Sequence, residues 1–197
     1  MTRNQFEIEN SGENQGVFVG QNNGNINVSI QKAIKIPSLI ATVVKTLGEI
    51  CVQSDFGDNI DTLQEYRPDE KIEYNCVVKY KEIIREFSTY YLVCENHLNA
   101  YDDSNISGKA RILKYVHVWY LQAKGEIIAE NKQTDKSDIE IIRENSDRII
   151  DMVKMKILNA VMRTGEFDDT YIEDIELGIE CFTCFCFMEC KILERPI

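Results

Sequence analysis

Apolar residues recur along this chain with two different periods, and the change of period divides it. Up to about residue 35 they alternate with polar ones: Phe6 and Ile8, Val17 and Val19 around Phe18, then Ile26, Val28 and Ile30 interleaved with Asn25, Asn27 and Ser29. Period two puts every second side chain on one face of a strand, so this stretch predicts β structure. Asn22, Asn23 and Gly24 lie between the last two runs, and the Asn-Gly pair supplies the positive φ angles of a tight turn. The pattern predicts a hairpin or a small three-stranded meander over residues 1–35. A ribbon of that size is not stable alone in water, so its apolar face needs a cover, either the remainder of the chain, a second copy or a partner. Val17, Phe18, Val19, Asn22, Asn23, Gly24, Ile26, Val28 and Ile30 are therefore expected to form an interaction element.

From residue 36 to 197 the period becomes helical. Pro37 can open a helix without losing a needed N–H, and Leu39, Ile40, Val43, Val44, Leu47 and Ile50 follow at helical spacing to about Gln53. Beyond the polar stretch Ser54 to Pro68, a stripe of Ile72, Cys76, Tyr80, Ile83, Phe87, Tyr90, Cys94, Leu98 and Tyr101 predicts a helix on the order of 30 residues, with Ser88 as the place where it would break. Ile112, Leu113, Val116, Trp119, Tyr120 and Ala123 mark a third helix ending near Gly125. Ser137 or Asp138 can cap a fourth, striped by Ile142, Ile149, Ile150, Val153, Ile157, Leu158 and Val161. In the last, Ile175, Ile179, Phe182, Phe185, Cys186, Phe187, Met188 and Leu193 are apolar nearly all round, the mark of a helix buried on most sides. The expected fold class is mainly α: an antiparallel bundle of about five helices carrying the N-terminal β-hairpin or meander.

Composition narrows what such a bundle does. With 44% apolar and 28% charged residues, the 197-residue chain can bury a proper core. Its formal charge is −11, from 22 Lys and Arg against 33 Asp and Glu, which works against unaided binding to nucleic acid. Neither a basic-then-apolar leader nor an apolar run near the roughly 20 residues needed to span a bilayer is visible, so a soluble cytoplasmic protein without membrane contact is expected. Seven cysteines, four of them between 181 and 190, do not form the spaced, even set of a disulfide-stapled secreted protein.

Cys181, Cys184, Cys186 and Cys190 are the residues that most invite a metal. On one helix, however, Cys186 points about 200° away from Cys184, and Cys190 lies more than a turn beyond, so four sulfurs do not converge as zinc or an iron–sulfur cluster requires. Interleaved with phenylalanines, they read as small core residues, and no metal or cofactor is expected. His97 and His117, the two histidines, fall on different predicted helices with no local nucleophile pattern. Asp168, Asp169, Glu173, Asp174, Asp138 and Glu140 could serve a metal-dependent nuclease, but the Lys or His such a site needs beside its acids has no evident source; solvated helix faces are the simpler reading. Asp55-Phe56-Gly57 stands without any other element of a kinase.

Two stretches carry a resemblance. Arg67-Pro68-Asp69-Glu70-Lys71-Ile72-Glu73-Tyr74-Asn75, continuing through Tyr80-Lys81-Glu82-Ile83-Ile84 to Tyr90-Tyr91, resembles the opening signature of the C-terminal domains of bacterial ABC-three-component systems. The segment Phe185 to Pro196, with Cys190-Lys191-Ile192-Leu193-Glu194 at its centre, resembles their closing motif. The resemblance spans about Ser54 to Ile197. Val19 to Val28 is similar to short segments that join effector domains to such C-terminal domains in bacterial conflict proteins. The resemblance implies an assembly subunit of a Lamassu-like antiphage defence complex, with other protein subunits as partners: a coiled-coil ABC/SMC-like ATPase, an effector, and further copies of itself. Residues 1–35 are too few for a nuclease or protease fold. A non-enzymatic adaptor is therefore the leading expectation, and a small effector with metal-dependent nuclease activity is the alternative. Read bottom-up, Lys71, Asn75 and Lys79 step by four along one helix face, apart from the Ile72, Cys76, Tyr80 stripe, and that face is expected either to meet a partner or to lie in solvent.

Overall fold

The computed structural model describes residues 37–53, 67–104, 107–164 and 170–196. The chain divides into two units, Met1–Ile34 and Lys35–Ile197, and every described residue belongs to the second. The expected hairpin, with Val17, Phe18, Val19, Asn22, Asn23, Gly24, Ile26, Val28 and Ile30, lies outside the described residues, as do Asp168 and Asp169. What is described is mainly helical, without a β-strand.

Helix α1, Leu39–Gln53, buries the stripe that the sequence marks: Ile40, Val43, Val44 and Leu47 are at most 4% exposed. It packs on α8, Ile172–Met188. In α8 the whole run Cys181–Phe187 is buried, as expected for a helix apolar nearly all round. Gly48 of α1 and Gly178 of α8 let the two backbones meet. A Cβ added at Gly48 would stand 1.9 Å from the carbonyl oxygen of Asp174, and one at Gly178 2.0 Å from that of Val44.

The long helix expected from Asp69 onward is instead a series. Its pieces are α2 (Pro68–Tyr74), α3 (Lys81–Phe87), a 3₁₀ turn at Ser88–Tyr90, and α4 (Tyr91–Ser104). The irregularity at Ser88 was foreseeable; the break after Tyr74 was not. There Cys76 takes a left-handed φ of 55°, its N–H reaches Glu73 O at 3.1 Å, and the N–H of Val77 reaches Ile72 O at 3.0 Å. These two bonds make a Schellman helix end, with cysteine in the slot that glycine usually fills. Cys76 consequently faces solvent and is not part of the apolar stripe. The approach to the next helix is fixed from a distance: the Asp147 carboxylate accepts the N–H groups of Val78 at 3.2 Å and Lys79 at 3.0 Å, the two residues just ahead of the Tyr80 that opens α3.

Helix α5, Gly108–Glu130, runs on past Gly125, because Ile127, fully buried, continues the stripe of Ile112, Val116, Tyr120 and Ala123. The fourth expected helix is two, α6 (Asp138–Glu144) and α7 (Ser146–Met162), separated at Asn145. Ser137 caps α6, its N–H and hydroxyl both donating to Glu140 Oε2 at 2.8 and 2.7 Å, a capping-box arrangement. Ile142, Ile149, Ile150, Val153, Ile157 and Val161 are all buried. Helix α8 stops at Met188, and Leu193, expected within it, lies beyond its end with a φ of 62°. Among the described residues no helix is long and apolar enough to cross a membrane.

Candidate functional site

Lys71 on α2 and Asn75, which caps the end of that helix, lie one turn apart, and both are buried: Lys71 is 1% exposed and Asn75 0%. Neither meets solvent or awaits a partner, which corrects the expectation that Lys71, Asn75 and Lys79 form an outward face. The Lys71 ammonium donates to Phe187 O and, at 2.9 Å, to Ile192 O, and lies 4.5 Å from the centre of the Phe187 ring. Phe187 O also accepts the N–H of Cys190 at 3.1 Å, and Cys186 O that of Lys191 at 2.9 Å. The C-terminus of α8 is thus a second Schellman end, again with a cysteine, Cys190 at φ 51°, in the glycine slot. A cation set against the last carbonyls of a 17-residue helix is favoured by the helix dipole.

Asn75 does for the tail what a neighbouring strand would do. Its Nδ2 donates to Glu194 O at 2.9 Å and to Lys71 O at 3.0 Å, while its Oδ1 accepts the Glu194 N–H at 2.9 Å. Every donor and acceptor of the amide is used, as burial demands. The Glu194 carboxylate accepts from Tyr120 and, at 2.6 Å, from Lys124 on α5. His117 Nδ1 lies 3.3 Å from Lys191 O, and Tyr91 on α4 donates to Glu189 at 2.5 Å.

The two stretches that carry the family resemblance, 71–75 and 190–194, are therefore the two halves of one clasp. Ile72 and Tyr80 are core residues and Glu73 is exposed. Tyr74 carries the Arg143 guanidinium over its ring at 4.5 Å. Lys79 stands apart on the surface, paired with Asp151 at 2.6 Å, and Tyr80 donates to the same carboxylate.

The electrostatics follow from burial. Desolvation pushes the Lys71 ammonium down to about 8, with Cys190, Glu194 and Cys186 acting the other way. Desolvation also opposes ionisation of Glu194, but the bonds from Lys124 and Tyr120 prevail and hold its carboxyl below the usual range. Desolvation and the bond to Glu194 raise the Tyr120 hydroxyl.

Five of the seven cysteines are core residues; Cys76 is exposed, and Cys190, expected in the core, is only half-buried because it turns the chain at the end of α8. Cys181 and Cys184 are buried on α8 as expected, and Cys181 meets Cys94 of α4 with the sulfurs 3.3 Å apart. Cys51 of α1 joins them: its bond to Cys181, with burial, raises its thiol. Burial also raises Cys184 and Cys186. Thiols held protonated are poor nucleophiles. A thiol reagent added to the native protein is expected to modify exposed Cys76 first and half-buried Cys190 more slowly. Cys51, Cys94, Cys181, Cys184 and Cys186 should react only on unfolding; counting fast and slow equivalents by absorbance checks this.

Sequence reasoning found α8 as a cysteine-rich core helix but not the three-helix meeting of Cys51, Cys94 and Cys181, since no local spacing encodes it. Of the candidate acids, Glu140 caps α6 and Glu173 is exposed. Among the described residues no group of three or more His, Cys, Asp or Glu side chains is placed to hold a metal ion. Compared with models of protein families, with curated proteins and with solved structures, the chain matches none of them.

Proposed function

We propose that this chain is a non-enzymatic assembly subunit, an adaptor of a Lamassu-like bacterial antiphage complex that associates through its N-terminal segment and docks other subunits on its helical unit. The observation that carries the reading is an apolar groove of about 640 Å³ between α7 and α8. Met155, Met162 and Ile172 on its walls are 53, 57 and 51% exposed, and Tyr171 beside them 76%. Methionines and aromatics grouped in the open are characteristic of protein interfaces, and their thioethers adapt to a partner's shape. The Lys79–Asp151 and Lys154–Glu180 ion pairs border the groove and give it a polar rim.

The clasp supports the same reading from another side. The residues that carry the resemblance are spent on architecture, and this is what a motif of an assembly domain needs. Light scattering on the purified chain is expected to give a multiple of its 22.8 kDa, falling to a single copy when residues 1–30 are deleted. Monomers in both forms at micromolar concentration contradict the self-association, and cleavage of plasmid DNA by the purified chain with Mg²⁺ or Mn²⁺ contradicts the non-enzymatic role.

A further inference from the structure

The chain carries eleven more negative than positive charges, yet one of its cavities is bordered by three lysines and a histidine and by no carboxylate. This cavity, about 580 Å³, lies between the first half of α5 and the tail that the clasp holds. Lys109, Lys114 and His117 border it from α5, Cys190 and Lys191 from the tail. Lys109 is engaged by Glu95 at 3.3 Å and Asn99 at 2.9 Å. Lys114 and Lys191 have no ion pair among the described residues. The adjoining groove is bordered by Glu189 and Glu194, but both are already bonded, Glu189 by Tyr91 and Glu194 by Tyr120 and Lys124.

Lys114 and Lys191 bring two positive charges without an ion-pair partner to the border of one cavity, and an anion seated there is attracted by both. Lys114 and Lys191 border the cavity from two different elements, α5 and the tail, so a ligand with two linked anionic groups can meet both at once. The volume is in the range of small-ligand sites. We infer that this cavity binds a small molecule bearing two or more linked phosphate groups, with Lys114 and Lys191 as the principal contacts and Lys109 and His117 flanking them.

Lys191 also places the site on the tail. Its carbonyl meets His117 and the next carbonyl, Ile192 O, accepts from Lys71, so a ligand bridging Lys114 and Lys191 ties the tail to α5 beside the clasp.

The test uses the full chain and inorganic pyrophosphate in calorimetry at fixed ionic strength, with adenosine diphosphate, inorganic phosphate and sodium sulfate as parallel arms. One pyrophosphate per chain is expected, bound more tightly than phosphate or sulfate. Lys114→Ala and Lys191→Ala should each weaken it by roughly tenfold, while the two Lys→Arg variants keep it within about threefold. Tighter binding of the nucleotide than of pyrophosphate identifies a nucleoside diphosphate as the ligand; equal binding identifies the diphosphate group alone, and both support the site. Lys114 is exposed and Lys191 half-buried, and circular dichroism checks that the variants fold. No heat from pyrophosphate, a response that sulfate reproduces at equal ionic strength, or unchanged affinity in both alanine variants overturns the inference.

Discussion

Alanine at position 178 is expected to cost the protein more than about 3 kcal/mol of stability in urea unfolding, or to prevent folding. On intrinsic propensity the change should help, since glycine inside a helix is about 1 kcal/mol worse than alanine. The packing reverses the sign. The new methyl would lie 2.0 Å from Val44 O, against backbone that has no side-chain end to swing aside, so α1 and α8 must separate. Separation exposes the faces that bury Val43, Val44 and Leu47 on one side and Ile175 and Ile179 on the other. Gly48→Ala is expected to act alike, its Cβ 1.9 Å from Asp174 O. Gly125→Ala is the internal control. Nothing lies within 4 Å of that Cβ, and the same substitution there should stabilise by about 0.5–1 kcal/mol. Equal effects at 125 and 178 would contradict the close crossing.

Asn75→Ala is expected to cost about 3 kcal/mol or more. It strands both backbone groups of Glu194, whereas Lys71 O keeps the backbone N–H of residue 75, and an abandoned buried polar group costs about 1–3 kcal/mol. Lys71→Met is a subtler case. It removes two hydrogen bonds to carbonyls, but it also removes a buried charge whose desolvation is expensive, so at pH 7 it should cost less than Asn75→Ala. The two terms separate with pH. Burial depresses the folded-state lysine to about 8, from 10.5 in the unfolded chain. Below pH 8 both states hold the proton and the burial penalty is complete. As pH rises from 8 toward 10.5 the folded state loses its proton first, and the wild type is stabilised by linkage. The stability gap between wild type and Lys71→Met should therefore widen across that window, while thiol and tyrosine ionisations, shared by both proteins, cancel. A gap independent of pH would place the ammonium in water.

The helical stripes were legible because burial follows their period. Val43, Val44 and Leu47, then Ile149, Ile150, Val153, Ile157 and Val161, and the run Phe182 to Phe187 all point inward as their spacing requires. Helix ends were less legible. Glycine is the usual sign of a left-handed residue closing a helix, and here cysteine occupies that position at both 76 and 190, so α2 and α8 read as longer than they are. Gly125 misled in the opposite direction, because its exposed face tolerates glycine and Ile127 continues the buried stripe.

The candidate site was hidden for a different reason. Lys71 and Asn75 are polar residues at helical spacing, which reads as a surface, and their partners lie some 120 residues away. Periodicity contains no term for so distant a pairing. The resemblance singled out both stretches, but nothing in either one announces that they touch. Asp147, which fixes the approach to α3 from α7, and Cys51, which joins Cys94 and Cys181, escaped for the same reason.

Residues 71–75 and 190–194 close on one another inside the folded chain. The amide of Glu194 reports on it directly, since its hydrogen goes to Asn75 Oδ1. In hydrogen exchange followed by NMR, that amide should be slowed by about a thousandfold or more relative to a free chain in the wild type. In Asn75→Ala it should return to within about tenfold of the free-chain rate, while amides of α7 keep their protection. A Glu194 amide that exchanges freely in the wild type, or one whose protection survives the loss of the Asn75 side chain, contradicts the clasp.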